Sequence, residues 1–157
     1  MFKYDVSVKE MWLSYLKTIG ENEETTKRNY TVWHFCNDEE SANNLAELVL
    51  QGIKRGTASL HYWYKEEGEK MPKVDDYSII INWQGIAKCI IKTTKIEIIP
   101  FKDVTERFAL IEGEGDKSLN YWRNVHQIYF ENELKEIGKE FNEDMEIVFE
   151  EFELVYK

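Results

Sequence analysis

The sequence Leu48-Val49-Leu50-Gln51-Gly52-Ile53-Lys54-Arg55-Gly56-Thr57 marks a change from helical to strand-like residues. An amphipathic helix is predicted to end at Gly52, and a segment rich in threonine and aromatic residues, typical of a strand, begins at Thr57. Lys54 and Thr57 therefore lie on a short connection between a helix and a strand. A lysine whose pKa is lowered by burial can accept a proton from a neighbouring hydroxyl, so the two residues are a candidate base and nucleophile. They also fit an ordinary solvated loop that leads into a strand.

The composition predicts one packed domain over residues 1–157. Hydrophobic residues make up 43% and aromatic residues 14% of the 157 residues, which favours a globular core over a disordered chain. No apolar run approaches the roughly 20 residues of a membrane helix, and the N-terminus lacks the apolar segment of a signal peptide. Cys36 and Cys89 are too isolated for a disulfide framework or a zinc site. We therefore expect a cytoplasmic protein without a membrane partner, a metal or a cofactor.

The charge distribution bears on the class of partner. A net charge of −10 argues against duplex DNA, which proteins bind through many lysine and arginine contacts to phosphates. Residues 131–157 carry most of the excess acid, whereas residues 51–64 and 77–96 contain basic residues and no acid. This asymmetry predicts a locally positive face that suits a nucleoside or a short single-stranded RNA. Alternatively, those lysines only solubilise the outer face of a strand. The oligomeric state is left open.

Hydrophobic periodicity and capping residues predict an α+β domain with a curled sheet. A capping box at residues 7–10 opens a first helix that ends near Gly20, and Asn37 or Asp38 caps a second helix. Further helices are expected at residues 105–110 and 118–134, and strands at residues 57–64, 77–83, 86–99 and 145–156, the middle two forming a hairpin around Gln84-Gly85.

The acidic run Glu112-Gly113-Glu114-Gly115-Asp116 is the second notable feature. Three carboxylates so close together favour either a bound ligand or exposure to water. The ligand spacing of a calcium-binding loop is absent. If the run binds a cation, the candidate is magnesium held by Glu114 and Asp116. The alternative is a solvated loop in which Asp116 or Ser118 caps the following helix.

Three residues of that following helix are further candidates. Trp122 is predicted to be a core residue rather than a platform for stacking a base. His126 lies one helical turn later and is either a proton carrier, a ligand, or a hydrogen-bonded, half-buried helix residue. Arg123 either meets a phosphate or clamps the acidic loop.

Known catalytic patterns are mostly excluded. The sequence contains no Ser-His-Asp order, no Cys-His nucleophile signature, no H-E-x-x-H motif and no G-x-x-x-x-G-K-[ST] phosphate loop. If the chain is an enzyme, the residues favour Thr57 as nucleophile and Lys54 as base, with a glutamate of the acidic loop as the orienting or protonating group.

Taken together, these motifs resemble the ASCH superfamily over nearly the whole chain. The segments that carry the resemblance are Trp33-His34-Phe35, residues 48–60, Asp76-Tyr77, and residues 108–119 followed by Trp122, Arg123 and His126. The resemblance implies a PUA-like curled β-barrel with flanking helices, related to domains of RNA-modifying proteins.

The resemblance also implies functions. Small bacterial ASCH proteins hydrolyse cytidine acetylated on its exocyclic amine, and their catalytic lysine, threonine and glutamate correspond to Lys54, Thr57 and Glu112. Another branch has been described as ribonucleases, and a non-catalytic RNA-binding module is a further alternative. We therefore expect an amidohydrolase or a ribonuclease acting on a nucleoside or RNA, or a module that binds RNA. The expected substrate contacts are Arg55, Ser59, Asp116, Arg123 and His126.

The chain departs from the family pattern at four positions. Ser59 stands where the small hydrolases carry an arginine, which removes a substrate or oxyanion contact. Relatives tend to have F-G-D where this chain has Phe35-Cys36-Asn37, and a glycine where it has Asp75, and these changes affect loops at the expected mouth of the pocket.

Overall fold

The computed structural model describes residues 4–157 and has the predicted α+β composition. The helices are α1 (Val6–Thr18), α2 (Glu39–Leu50), α3 (His61–Glu66), α4 (Glu106–Glu112) and α5 (Leu119–Glu136). The strands are β1 (Tyr30–Trp33), β2 (Gly56–Leu60), β3 (Tyr77–Ile81), β4 (Ala87–Pro100) and β5 (Glu146–Tyr156). None of the described helices combines the length and apolar character that crossing a membrane requires.

The strands form one mixed sheet in the order β1-β3-β4-β5-β2. β1 pairs with β3 in parallel, and all the other pairs are antiparallel. The two edge strands, β1 and β2, line opposite sides of one cleft but do not pair with each other, so within residues 4–157 the sheet is curled and open. The α+β class and the flanking helices are confirmed, but the PUA-like curled β-barrel that the resemblance implies is not confirmed as a barrel.

β3 and β4 form the hairpin predicted for residues 77–99, and the helices α1 and α2 pack on it. All five residues of β3 are buried, because alternate side chains meet helices on opposite faces of the sheet. Ile79 and Ile81 pack with α1, whereas Ile80 packs with α2. A third cluster joins α4 and α5 to β2 and β5. The sheet is thus covered on both faces while its edge cleft stays accessible.

Capping residues fix where the helices begin. The predicted capping box starts two residues too late, because Asp5, and not Ser7, is the N-cap of α1 and accepts a hydrogen bond from the Ser7 amide. Asp38 and Ser118 cap α2 and α5 as predicted. The strand predicted for residues 57–64 is wrong in its second half, where the chain turns into α3 after Leu60.

Two departures from the family pattern have a common physical explanation. Cys36 and Asp75 have φ angles of +55° and +74°, in the left-handed region that glycine adopts without a steric penalty. A glycine, which the resemblance implies at these positions, would fit this backbone, and here Cys36 and Asp75 adopt the same left-handed region.

Candidate active site

Lys54 is buried at the centre of the candidate site, with only 2% of its surface exposed. Its ammonium nitrogen lies 3.4 Å from a carboxylate oxygen of Glu112 and 3.2 Å from one of Glu114. The ring of Phe35 packs on it, with 5.1 Å between Nζ and the ring centroid. A buried lysine must be paired to be tolerated, and here two glutamates pair it.

The backbone brings these distant residues together. The Arg55 amide donates a 2.8 Å hydrogen bond to the Ile111 carbonyl, which joins the connection after α2 to the end of α4. Gly113 ends α4 with a φ of +68° and lies directly against the Ile53 carbonyl. Glu112 is therefore the last residue of α4 and not, as predicted, the first residue of a loop. This position directs its side chain toward Lys54.

Glu112 is held as a carboxylate by donors on several sides. It is 1% exposed, and besides Lys54 it accepts hydrogen bonds from the Trp122 indole and from His126. Burial alone raises a carboxyl pKa, but the charges of His126 and Lys54 outweigh it and lower the pKa of Glu112 to about 2. Glu112 is thus a hydrogen-bond acceptor at neutral pH and not a proton donor.

The polar neighbours of His126 favour a protonated ring, an imidazolium. Nδ1 lies 2.8 Å from the Trp122 carbonyl, which can only accept, so Nδ1 carries a hydrogen. Nε2 lies 3.1 and 3.3 Å from the two oxygens of Glu112. An unprotonated Nε2 would repel the carboxylate, so this position favours a hydrogen on Nε2 as well. Burial lowers the pKa of His126, but the charge of Glu112 outweighs this effect and raises it above the ordinary value. The ring also stacks on Trp122, with centroids 4.0 Å apart.

Lys54 is likewise charged in this site. Burial acts to lower its pKa, as the sequence analysis assumed, but Glu112 and Glu114 outweigh burial and raise the pKa above its ordinary value. Two cations, Lys54 and His126, therefore balance two carboxylates, Glu112 and Glu114. The resting site is neutral overall and presents an ammonium rather than an amine.

We predict that His126→Gln destabilises the protein more at pH 6 than at pH 9. The folded pKa of His126 lies above its unfolded value of 6.5, so its stabilising charge is present below pH 6.5 and is lost as pH rises through the folded pKa. The paired Glu112 stabilises above pH 4.5 and loses this effect as pH falls toward about 2. Urea denaturation should show a loss of about 1.5 to 3 kcal/mol at pH 6, the typical cost of losing a hydrogen bond to a charged group, and a smaller loss at pH 9. Equal losses at pH 6 and pH 9 would contradict a charged His126.

A cavity of about 180 Å³ opens beside this cluster. Lys54, Thr57 and Glu112 all line it, together with Glu114 and His126. The three residues expected to be catalytic therefore line one cavity. Cys36 also lines it, but burial raises the pKa of its thiol to about 11, which leaves it a poor nucleophile.

Glu112, Glu114 and His126 are also the group that by distance could ligate a metal, since their ligand atoms lie within 4.8 Å of one another. A cation there would compete with the Lys54 ammonium, and His126 would first have to lose its Nε2 proton. Asp116, which the sequence paired with Glu114 for magnesium, instead accepts a hydrogen bond from the Ser118 amide. The arrangement thus fits an internal ion-pair network better than a metal centre.

The remaining expected substrate contacts are dispersed. Arg123 donates to the carbonyls of Lys102 and Val104 and does not clamp the acidic loop. Arg123, Arg55 and Asp116 line neither the small cavity nor the larger cleft described below, and Arg55 and Asp116 are exposed. Ser59 lies in a neighbouring cleft, where its hydroxyl is 2.8 Å from that of Tyr64.

That neighbouring cleft is larger, about 540 Å³, and lies between the edges β1 and β2. It shares Trp33 and Thr57 with the small cavity, so the two spaces meet at these residues. Sequence reasoning missed the cleft and its residue Glu150, because only the curl of the sheet brings β1 opposite β2. It also missed the hydrogen bond from Trp122 to Glu112, although the i, i+4 spacing of Trp122 and His126 already placed them on one helix face.

The fold and the site together define the class of protein. Residues 31–156 match the ASCH domain family, and the chain belongs to that family. This confirms the resemblance found in the motifs. No curated protein matches the sequence significantly.

Solved structures show the same architecture. A crystal structure of an ASCH domain from Lactobacillus crispatus JV V101 is 39% identical and superposes with a TM-score of 0.92, over 98% of this chain and 97% of the other. A protein from Enterococcus faecalis V583 is 35% identical with a TM-score of 0.84, over 96% and 88%. A hypothetical protein, PH0355, is 20% identical with a TM-score of 0.51, over 80% and 96%, and this likeness concerns the fold alone.

Proposed function

We propose that this ASCH protein is an amidohydrolase that removes an acyl group from the exocyclic amine of a nucleoside, with acylated cytidine as the first candidate. The observation that carries the proposal is the convergence of Lys54, Thr57 and Glu112 on one cavity of about 180 Å³. The cavity has room for a small acyl group but not for a whole nucleoside. The larger cleft that meets it at Thr57 has room for the remainder.

In this proposal each residue has a distinct chemical role. Thr57 is the nucleophile. The charged Lys54 donates a hydrogen bond to the carbonyl oxygen and stabilises the oxyanion, which replaces the role of neutral base expected from the sequence. Glu112, saturated with donors, positions Lys54 and His126. Glu114 pairs with Lys54 at 3.2 Å, and its carboxylate has no other hydrogen-bond donor among residues 4–157, so in the proposal it accepts the proton.

The reaction is an acyl transfer in two steps. The Thr57 oxygen attacks the amide carbon while its proton passes to Glu114. The carbon–nitrogen bond then breaks, and the leaving exocyclic nitrogen takes a proton from Glu114. Water hydrolyses the resulting ester and releases the carboxylic acid, which restores Thr57.

We expect Thr57→Ala to lower the turnover of acetylcytidine by at least about 10³-fold, as loss of a nucleophile does. Thr57→Ser keeps the hydroxyl and should retain most of the rate. The measurement is chromatography of cytidine released by purified protein. As a matched control, Thr94→Ala removes a hydroxyl from an exposed position of β4 that lines neither the small cavity nor the larger cleft, and it should keep the parental rate. Full activity in Thr57→Ala, or no turnover at high enzyme concentration, would sink the proposal.

The competing hypotheses, a ribonuclease or an RNA-binding module, depend on the lysines of β4 as phosphate contacts. In the structure those lysines are paired: Lys88 with Glu47, Lys92 with Asp75 and Lys95 with Glu97. Paired cations contribute less to phosphate binding, which favours a small ligand over RNA. Cleavage of short single-stranded RNA, lost in Lys54→Ala, would establish the ribonuclease instead. Salt-dependent RNA binding without product would establish the binding module.

A further inference from the structure

We propose that the cleft between β1 and β2 is a subsite for the heterocycle and sugar of a nucleoside without phosphate, and that Glu150 selects this ligand by accepting a hydrogen bond from it. The proposal deepens the proposed function and rests on it in one respect, because it places the reacting group of the same ligand at Thr57.

The cleft adjoins the small cavity, because Trp33 and Thr57 line both spaces. In the proposal, a ligand with its acyl group beside Lys54 extends past Thr57 into the cleft. The cleft volume of about 540 Å³ falls within the range of small-molecule sites.

The walls of the cleft carry aromatic rings held in place by their neighbours. Tyr30 lines the cleft and packs on Trp12, with 4.7 Å between ring centroids. Tyr64 lines it as well and is fixed by its hydrogen bond to Ser59. Aromatic rings held in place in this way suit a flat heterocycle, which binds by stacking.

Glu150 is placed to contact a ligand in the cleft. It lies on β5 directly opposite Thr57 in the strand register, so its side chain and the proposed nucleophile share one face of the sheet. One carboxylate oxygen accepts a 2.5 Å hydrogen bond from the Thr93 hydroxyl. Among the described residues no donor is paired with the other oxygen, which can accept an N–H or O–H from a ligand. Burial also raises the pKa of Glu150, so a donated hydrogen bond there would be stabilising.

The lining of the cleft carries more acidic than basic side chains, which disfavours a phosphate group there. Glu69, Asp76 and Glu150 line the cleft, and Lys70 is the only cationic residue of the lining in the described part of the chain. Such a cleft repels a phosphate group and favours a neutral or cationic ligand. A nucleoside fits these conditions, whereas a nucleotide or an RNA strand does not.

The test measures binding separately from turnover. Cytidine, uridine, adenosine, guanosine and their 5′-monophosphates are titrated into the Thr57→Ala protein and followed by calorimetry and by NMR shifts of cleft residues. We expect at least one nucleoside to bind in the cleft, and its monophosphate to bind about 10-fold or more weakly. Glu150→Gln should weaken the nucleoside about 10-fold, because the amide oxygen stays on Thr93 and the NH₂ group faces the ligand donor. Glu153→Gln makes the same charge change on an exposed residue of β5 that lines neither cavity, and should bind like the parent.

Each outcome decides the proposal. Absence of binding by every nucleoside, equal or tighter binding of the monophosphates, or unchanged affinity in a folded Glu150→Gln protein overturns the subsite. The comparison of nucleoside with monophosphate holds even if Glu150→Gln does not fold. If nucleosides bind as expected but acetylcytidine is not hydrolysed by the wild-type protein, the proposed function fails and the subsite stands.

Discussion

Lys54→Met is expected to destabilise the protein by about 3 to 5 kcal/mol, the typical cost of removing one partner from a buried ion pair. Lys54 lies between Glu112 and Glu114 and is 2% exposed, so methionine leaves two carboxylates facing each other without the cation that separates them. Urea denaturation at pH 7 measures this loss without reference to any substrate. In the proposed reaction the same variant also loses oxyanion stabilisation, and turnover should fall by about 10²-fold or more.

The control for this substitution is its neighbour. Arg55→Met removes a cation from an exposed position and should change stability by no more than about 0.5 kcal/mol. Glu112 keeps its contact with His126 in Lys54→Met, whereas Glu114 loses the cation that pairs with it. Adding Glu114→Gln removes this carboxylate and should restore part of the lost stability. If Lys54→Met were as stable as Arg55→Met, the ammonium would not be holding the two glutamates together.

Local chemistry made much of this fold predictable. The hairpin of β3 and β4 follows from two runs of β-branched residues separated by Gly85, whose φ of +84° requires glycine. Asp38 and Ser118 were recognisable as caps because a short polar side chain can accept from the first free amides of a helix.

The errors arose where contacts distant in sequence decide the outcome. Residues 61–64 have the aromatic content of a strand, yet they form α3, in which Tyr62 and Trp63 pack on the core formed by α4 and α5. The Trp63 indole also donates to Glu133, 70 positions away. No periodicity within an eight-residue segment reports such partners, so propensity favoured the wrong element.

The candidate site, like the fold, was predictable only in part from the sequence. Lys54 and Glu112 are 58 positions apart, and periodicity gave no reason to join them; the family resemblance did. Neither periodicity nor the resemblance predicted the charge state of Lys54. It depends on the balance between burial and two neighbouring carboxylates, and only the three-dimensional structure shows that balance. Arg123 was misplaced for a related reason, since a long side chain on a helix can turn to carbonyls that the sequence does not show nearby.

Gly113→Ala is expected to destabilise the protein by several kcal/mol, although it adds a single methyl group. Gly113 has a φ of +68°, which costs a non-glycine residue about 1 to 2 kcal/mol. In addition, its Cβ would lie 2.3 Å from the Ile53 carbonyl oxygen, a backbone atom that cannot move without shifting Lys54 next to it. Overpacking of this kind costs a further 1 to 3 kcal/mol, roughly, so a total of about 2 to 5 kcal/mol should appear in urea denaturation.

The chain offers a matched control for this effect. Gly52 has a φ of +72° but nothing within 4 Å of the position of a Cβ, so Gly52→Ala isolates the cost of the backbone conformation, about 1 to 2 kcal/mol. The difference between the two variants measures how closely the connection after α2 is packed against the end of α4. Because this contact sets the position of Lys54 relative to Glu112, Gly113→Ala should also lower turnover in the proposed reaction, whereas Gly52→Ala should not. Equal stability losses in the two variants would mean that the close approach of Gly113 to Ile53 does not constrain the site.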